Sequence, residues 1–216
     1  MPKEGLFIVF EGGEGSGKST QAELMYNHLR HIGNDVIFTR EPGGTPSAEE
    51  IRRILLNPEF EYRPETQLFL FEAARFEVFN SLIIPSLDEG KIVLSDRSGY
   101  STLAYQGHGF GIDVDLIKRC NEFATQTTKP NLLFIFDVPA RKGLERASTT
   151  EFGKQDSFER IGLEFHEKVN KGYLKIVEEN PDIAVVIPDT DYEKERAMSQ
   201  KHEQVKRYFS ERLSIC

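Results

Sequence analysis

Cysteine is scarce in this chain: Cys120 and Cys216 are the only two in 216 residues, too few for a disulfide framework, so both are expected as thiols in a reducing compartment. Long apolar runs are scarce as well. The longest stretches, such as Leu132–Phe136, fall far short of the ~20 residues of a bilayer span, and Leu6–Phe10 is too short for the apolar core of a secretory signal. A cytoplasmic protein without membrane contact is the expectation. Basic charge is in deficit, with 27 lysines and arginines against 35 acids and a net charge of −8. That balance argues against nucleic acid or an anionic membrane as partner, and it requires any anionic ligand to be held by a local cationic pocket. Internal repeats and low-complexity tracts are missing too. With 38% hydrophobic and 29% charged residues, the chain can bury a substantial core and reads as a single globular domain over 1–216.

Five short apolar stretches, at 6–10, 36–39, 92–95, 132–137 and 183–187, read as strands. Each is nearly continuous in Val, Ile, Leu and Phe rather than alternating, as expected of strands covered on both faces of a parallel sheet. Helical spacing occupies 18–32, 46–56, 64–87, 113–127, 140–148, 156–179 and 191–213. Strands alternating with helices predict an open α/β fold, a five-stranded parallel sheet with helices on both faces that binds its ligands at the carboxyl ends of the strands. The polar stretch Thr149–Gln155, with Gly153 inside it, reads as the flexible part of a lid at 147–160.

Directly after the first strand stands Gly12-Gly13-Glu14-Gly15-Ser16-Gly17-Lys18-Ser19-Thr20, which fits G-x-x-x-x-G-K-[ST]. The glycines let the backbone curl so that successive N–H groups face an anion, and the helix that follows adds its positive end. Lys18 is placed for the β- and γ-phosphates of a nucleotide and Ser19 for Mg²⁺.

Four further clusters gather around the strand ends. Asp96-Arg97 offers an acid to hold Mg²⁺ through water and a guanidinium to clamp phosphate. Asp96-Arg97-Ser98-Gly99 also fits the D-x-x-G of a GTPase switch, but the guanine-reading N-K-x-D is absent, since Gly172-Tyr173 follows Asn170-Lys171. Thr39-Arg40-Glu41-Pro42-Gly43-Gly44 forms an irregular turn with one charge of each sign. Helical spacing puts residues 68, 71, 72 and 75 on one face, so Phe71 and Arg75 point together, a flat apolar surface beside a planar donor fork that suits a nucleobase. Tyr100–Gly107, which includes Ser101, Thr102, Tyr105 and Gln106, supplies hydroxyl and amide groups to the same crevice.

These clusters, in this order, closely resemble those of bacterial thymidylate kinases, P-loop enzymes that phosphorylate dTMP to dTDP with ATP. The most specific matches are Phe10-Glu11-Gly12, Thr39–Thr45, Ala73-Ala74-Arg75, Asp96-Arg97 and Ala104-Tyr105-Gln106-Gly107. The resemblance implies a P-loop NTPase fold, Mg²⁺ with ATP as cofactors, a step towards dTTP, and a homodimer. It further implies that Phe71 stacks on thymine, Arg75 and Thr102 read its polar edge, and Arg40 and Arg97 hold the monophosphate. Glu11 would lie near the sugar 3′-hydroxyl, Tyr105 and Gln106 would line the sugar and base pocket, and Arg146 would lie against the adenine of ATP.

Two positions depart from the family pattern. Ser98 stands where an aromatic residue or histidine usually follows Asp-Arg, and Asp156-Ser157 stands where the lid usually carries Asp-Arg. With Gly15 in a loop that carries no arginine, a basic residue must still reach the transferring phosphoryl group. Lys154 is favoured for that role because it lies in the flexible stretch, with Arg160 second and Arg146 the remaining alternative. Both substrates are anions, so positioning and charge neutralisation carry the reaction, and the acceptor phosphate needs no strong general base.

Overall fold

The computed structural model describes residues 5–149, 161–190 and 194–215. Its five strands are β1 (Leu6–Gly12), β2 (Val36–Arg40), β3 (Ile92–Asp96), β4 (Leu132–Asp137) and β5 (Ala184–Pro188). All pair in parallel, in the spatial order β2-β3-β1-β4-β5. The five predicted strands are therefore all present. Because the chain fills one side of β1 before crossing to the other, the carboxyl end of β1 lies at the point where the winding reverses, the place such sheets bind ligands.

The unbroken hydrophobic strands are explained by burial on both faces. Phe7 and Val9 enter a core completed by α3 (Pro64–Val78) and α8 (Leu163–Glu179), while Ile8 and Phe10 enter another beneath α1 (Lys18–His31) and α9 (Lys194–Leu213). None of the four is more than 2% exposed. In the second core Phe134 stacks on both Phe10 and Phe209, tying α9 to the sheet. Removing one such ring would cost about 3–5 kcal/mol.

The remaining helices are α2 (Pro46–Leu55), α4 (Ile84–Asp88), α5 (Gly99–Thr102), α6 (Val114–Ala124) and α7 (Ala140–Ala147). Thr45 caps α2 by accepting from the Ala48 N–H, and Pro46 occupies its first turn. The single helix expected over 64–87 is interrupted by a π-helical turn, Phe79–Ile83, between α3 and α4. A second π-helical turn, Leu103–Gly109, follows α5 in a stretch the hydrophobic spacing had not assigned to a helix. A π turn adds a residue to the repeat, so a 3.6-residue pattern does not reveal it. Gly109 lets that turn sit against α8, because a Cβ there would come within 2.6 Å of the Phe165 ring. The helix expected from 156 begins at Leu163, with Gly162 extended before it; 150–160 lie outside the described residues.

Candidate active site

The glycine-rich loop joins β1 to α1 as its motif requires. Gly15 has φ of 61°, and a Cβ there would overlap the Gly143 carbonyl on α7, so only glycine fits. Lys18 opens α1 at 6% exposure and reaches back across the loop, Nζ to Gly13 O at 3.3 Å. Burial and the Arg97 charge lower the Lys18 pKa, while Glu14, Asp96 and Glu11 pull it up. Ser19 and Thr20 are exposed on the first turn of α1.

Parallel register sets Asp96 beside both Phe10 and Arg40, which aligns the ends of β1, β2 and β3. The buried Asp96 Oδ1 has no hydrogen-bond partner among the described residues, where an unpaired acceptor is costly unless a ligand completes it. No cluster of three or more acidic, histidine or cysteine ligands exists among the described residues. One carboxylate and one hydroxyl beside a phosphate cradle instead suit Mg²⁺, which keeps waters and takes phosphate oxygens.

Next to the cradle opens a cavity lined by Glu14, Glu41, Pro42, Arg52, Leu56, Phe71, Arg75, Arg97, Ser98, Ser101, Thr102, Tyr105 and Gln106. Arg97 has φ of 73°, strained for a residue with a side chain and of the kind that gathers at functional sites. Its Nη2 donates to Glu14 Oε1 at 2.8 Å, its Nη1 to Ser101 Oγ at 3.1 Å, and its guanidinium lies 5.4 Å from the Tyr105 ring centre. Burial alone would raise the Glu14 carboxyl, but Arg97 and Lys18 outweigh it and hold the pKa down at about 2. Tyr105 OH donates to the same Glu14 oxygen at 2.6 Å.

Arg75 is 1% exposed and almost fully committed. Nε donates to Glu41 Oε2 at 2.7 Å, Nη1 to Glu72 Oε1 at 2.5 Å and Asn121 Oδ1 at 2.9 Å, and Nη2 to Thr102 Oγ1 at 2.9 Å. Four of the five guanidinium N–H bonds are thus used, leaving one on Nη2 for a ligand. Thr102 accepts from Arg75 and keeps its own hydroxyl proton to donate. Burial pushes the Glu41 carboxyl up to about 7, with Arg75 opposing and Glu72 reinforcing, and its Oε1 is buried with no partner among the described residues.

Known proteins resemble the chain over most of its length. The thymidylate kinase family model matches residues 10–201. The chain belongs to the thymidylate kinase family. It is 42% identical to a thymidylate kinase of Halothermothrix orenii over 94% of this chain and 97% of the relative, and 46% identical to one of Caulobacter vibrioides over 88% and 90%. The crystal structure of thymidylate kinase from Ehrlichia chaffeensis superposes with a TM-score of 0.80 at 34% identity, covering 95% of this chain and 99% of that one. The fold is that of the P-loop NTPases, and the chain is a nucleoside monophosphate kinase that phosphorylates dTMP.

Among the residues expected to hold dTMP, the structure brings Phe71, Arg75, Arg97, Ser101, Thr102, Tyr105 and Gln106 to one cavity. Glu11 and Arg40 stand apart from its lining. The Glu11 carboxylate is fully buried and occupied, accepting from the N–H groups of Ser98 and Ser101 at 2.7 and 3.0 Å, Ser101 Oγ at 2.6 Å and Tyr173 OH at 2.9 Å. Glu14, read from the motif as part of the ATP loop, lines the cavity instead, as does Glu41. Arg40 pairs with Glu49 at 3.1 Å and is exposed. Arg146 donates to both Asp189 oxygens, at 3.0 and 3.4 Å. Lys154, Ser157 and Arg160 lie outside the described residues.

The sequence reading missed Glu41, Arg52 and Ser98 as lining groups, and Tyr173, Asn121 and Glu72 as supports. Ser98 caps α5 by accepting from the Tyr100 N–H and also donates to Glu11, which gives a reason for a small hydroxyl at that position in this chain. Glu41 had a signal in its place beside Arg40, whereas Tyr173 on α8 reaches Glu11 across 162 positions of sequence and carries none.

Proposed function

We propose that the cavity receives dTMP with its base towards Phe71, Arg75, Thr102 and Gln106 and its phosphate towards Arg97 and the loop, where ATP supplies the γ-phosphoryl group. The observation that carries this reading is that a base-reading set and a phosphate-clamping set line one cavity that includes Glu14 of the phosphate loop. The remaining Nη2–H of Arg75 suits an acceptor such as thymine O4, and the Thr102 hydroxyl and Gln106 amide complete the polar edge. Phe71, half-buried, offers the ring face for stacking. Tyr105 and Glu14 close the sugar side, and Glu11 fixes the start of α5, and with it Ser101, rather than touching substrate.

For phosphoryl transfer, Lys18 and the loop amides hold the donor phosphates, and Arg97 releases part of its pairing with Glu14 to take the acceptor phosphate. Arg40 exchanges Glu49 for that phosphate when substrate arrives. Ser19 and Asp96 would hold Mg²⁺, which when bound neutralises charge on the phosphate oxygens. Arg146, held flat by Asp189, offers its guanidinium face to the adenine. Lys154 brings the last cation from a lid at 147–160, with Arg160 second.

The same reading places the enzyme in the cytoplasm on the route to dTTP, with neither nucleic acid nor membrane as partner. No helix among the described residues is long and apolar enough to cross a membrane. A homodimer is supported by an apolar groove on α3 and α6, where Phe69, Phe76 and Phe123 are 66%, 37% and 77% exposed and Phe76 stacks on Phe123. Turnover tests the assignment: ADP formation from ATP should depend on added dTMP and yield dTDP, and ATP hydrolysis indifferent to dTMP would overturn it.

A further inference from the structure

Lys201 on α9 lies nine-tenths buried behind the phosphate loop and has no part in the scheme above. It is 5% exposed, and its Nζ donates to the Ser16 carbonyl at 3.3 Å and to Asp189 Oδ1 at 3.1 Å. Burial lowers its pKa, Asp189 raises it, and Arg146 and Lys142 lower it further, so the ammonium sits in surroundings that work against its charge.

Neutralising Asp189 does not explain a third cation. Lys142 already meets Asp189 at 2.6 Å and Arg146 grips both of its oxygens, so Lys201 leaves three cations around one acid. Burial alone would raise the Asp189 carboxyl, but the three donors outweigh it and hold its pKa well below the carboxylate range, so it stays ionised. What Lys201 alone adds is the bond to the loop. In a trans peptide the carbonyl and the following N–H point in opposite directions, so holding Ser16 O towards α9 turns the Gly17 N–H the other way, into the cradle. A second tie braces the same region, since Gln21 Nε2 on α1 donates to Met198 O on α9 at 2.8 Å. The surplus positive charge behind the loop also favours a polyanion in front of it.

We propose that Lys201 is a positioning residue for the polyphosphate of the donor, fixing the Ser16–Gly17 peptide in its anion-binding orientation and joining it through Asp189 to Arg146. This inference rests on the reading of the loop as the ATP site. Its effect belongs to the phosphates and is independent of the donor's base, in contrast to that of Arg146.

The test uses the full-length enzyme with Lys201→Met, which keeps length without charge, and Lys201→Arg, which restores a donor. Steady-state kinetics would give KM for ATP, KM for dTMP and the inhibition constant of inorganic tripolyphosphate against ATP. Losing one charge-assisted bond that orders the cradle should raise the ATP KM and the tripolyphosphate constant together by roughly tenfold or more. The dTMP KM should stay within about twofold, and Lys201→Arg should recover most of the loss. An unchanged ATP KM in folded Lys201→Met, equal rises in both KM values, or a rise for ATP without one for tripolyphosphate would each overturn the proposal. Should Lys201→Met fail to fold, Lys201→Gln, which removes the charge and shortens the reach to Ser16 O, must raise the tripolyphosphate constant; no change there, or loss of folding in both variants, overturns it as well. Wild-type enzyme that shows no dTMP-dependent ADP release would defeat the site assignment itself, whereas active wild type beside an unaffected Lys201→Met defeats this inference alone.

Discussion

The guanidinium of Arg97 meets the carboxylate of Glu14 at 2.8 Å, joining the end of β3 to the glycine-rich loop where both line one cavity. With Glu14 held at about 2, the acid is ionised throughout the working range, so an acceptor phosphate must share a fork already half engaged. Arg97→Lys keeps the charge but not the planar fork, and kcat/KM for dTMP should fall about tenfold to a hundredfold with the ATP KM little changed. Steady-state kinetics with each substrate varied would check this.

Lys18 sits at the start of α1 beside the glycine loop, and the proposed reading has its ammonium meet the phosphates at the end that is transferred. Lys18→Ala should lower kcat by about 10²–10³ or more while the circular dichroism spectrum stays that of the wild type. Near-normal turnover in the folded variant would remove the loop from catalysis.

Arg75 offers its remaining N–H to an acceptor, and cytosine presents an N4 donor where thymine presents O4. The enzyme should therefore use dTMP far better than dCMP, by about 10² or more in kcat/KM. Equal values for the two would take Arg75 out of base reading.

Glu41 links pH to stability. Its carboxyl is pushed up to about 7 from 4.5, so between those values the folded protein holds the proton more tightly than the unfolded chain. The stability contributed by protonated Glu41 is complete below the lower value and is lost as pH rises through the higher one. Glu41→Gln fixes a neutral group that can still accept from Arg75 Nε. Its Tm relative to wild type should rise by several degrees between about pH 5 and about pH 8. A gap that closes or reverses over that interval, read by thermal denaturation, would contradict the proposed protonation.

The lid cation separates two residues. If Lys154 acts on closure, Lys154→Ala should lower kcat and kcat/KM by similar factors with little change in ATP affinity, while Arg160→Ala stays near wild type. An unaffected Lys154→Ala beside a crippled Arg160→Ala would transfer the role to Arg160.

What could be read from the sequence follows the range of the interactions. The phosphate loop is local, because nine consecutive residues dictate the turn, and the strands announce themselves by continuous apolar residues at 6–10 and 92–94. Phe71 and Arg75 are legible because helical geometry puts positions four apart on one face. Glu11 was less legible: the sequence places it beside the cradle, but only packing shows that Ser98, Ser101 and Tyr173 consume its oxygens. The π turn that carries Tyr105 and Gln106 is invisible to a 3.6-residue pattern, and it is held by Phe165 from α8. Lys201 carries no signal in the sequence, and only docking of α9 behind the loop buries it.

The central claim is that one cavity selects thymidylate and passes it the γ-phosphoryl group of ATP. Initial rates of ADP release with dTMP, dUMP, dCMP, dGMP and dAMP, each over a range of concentrations, test it most directly. The account predicts the highest kcat/KM for dTMP and rates near the no-acceptor background for the purine monophosphates and dCMP. A higher kcat/KM for any of those three, or ADP release unaffected by dTMP, would contradict it.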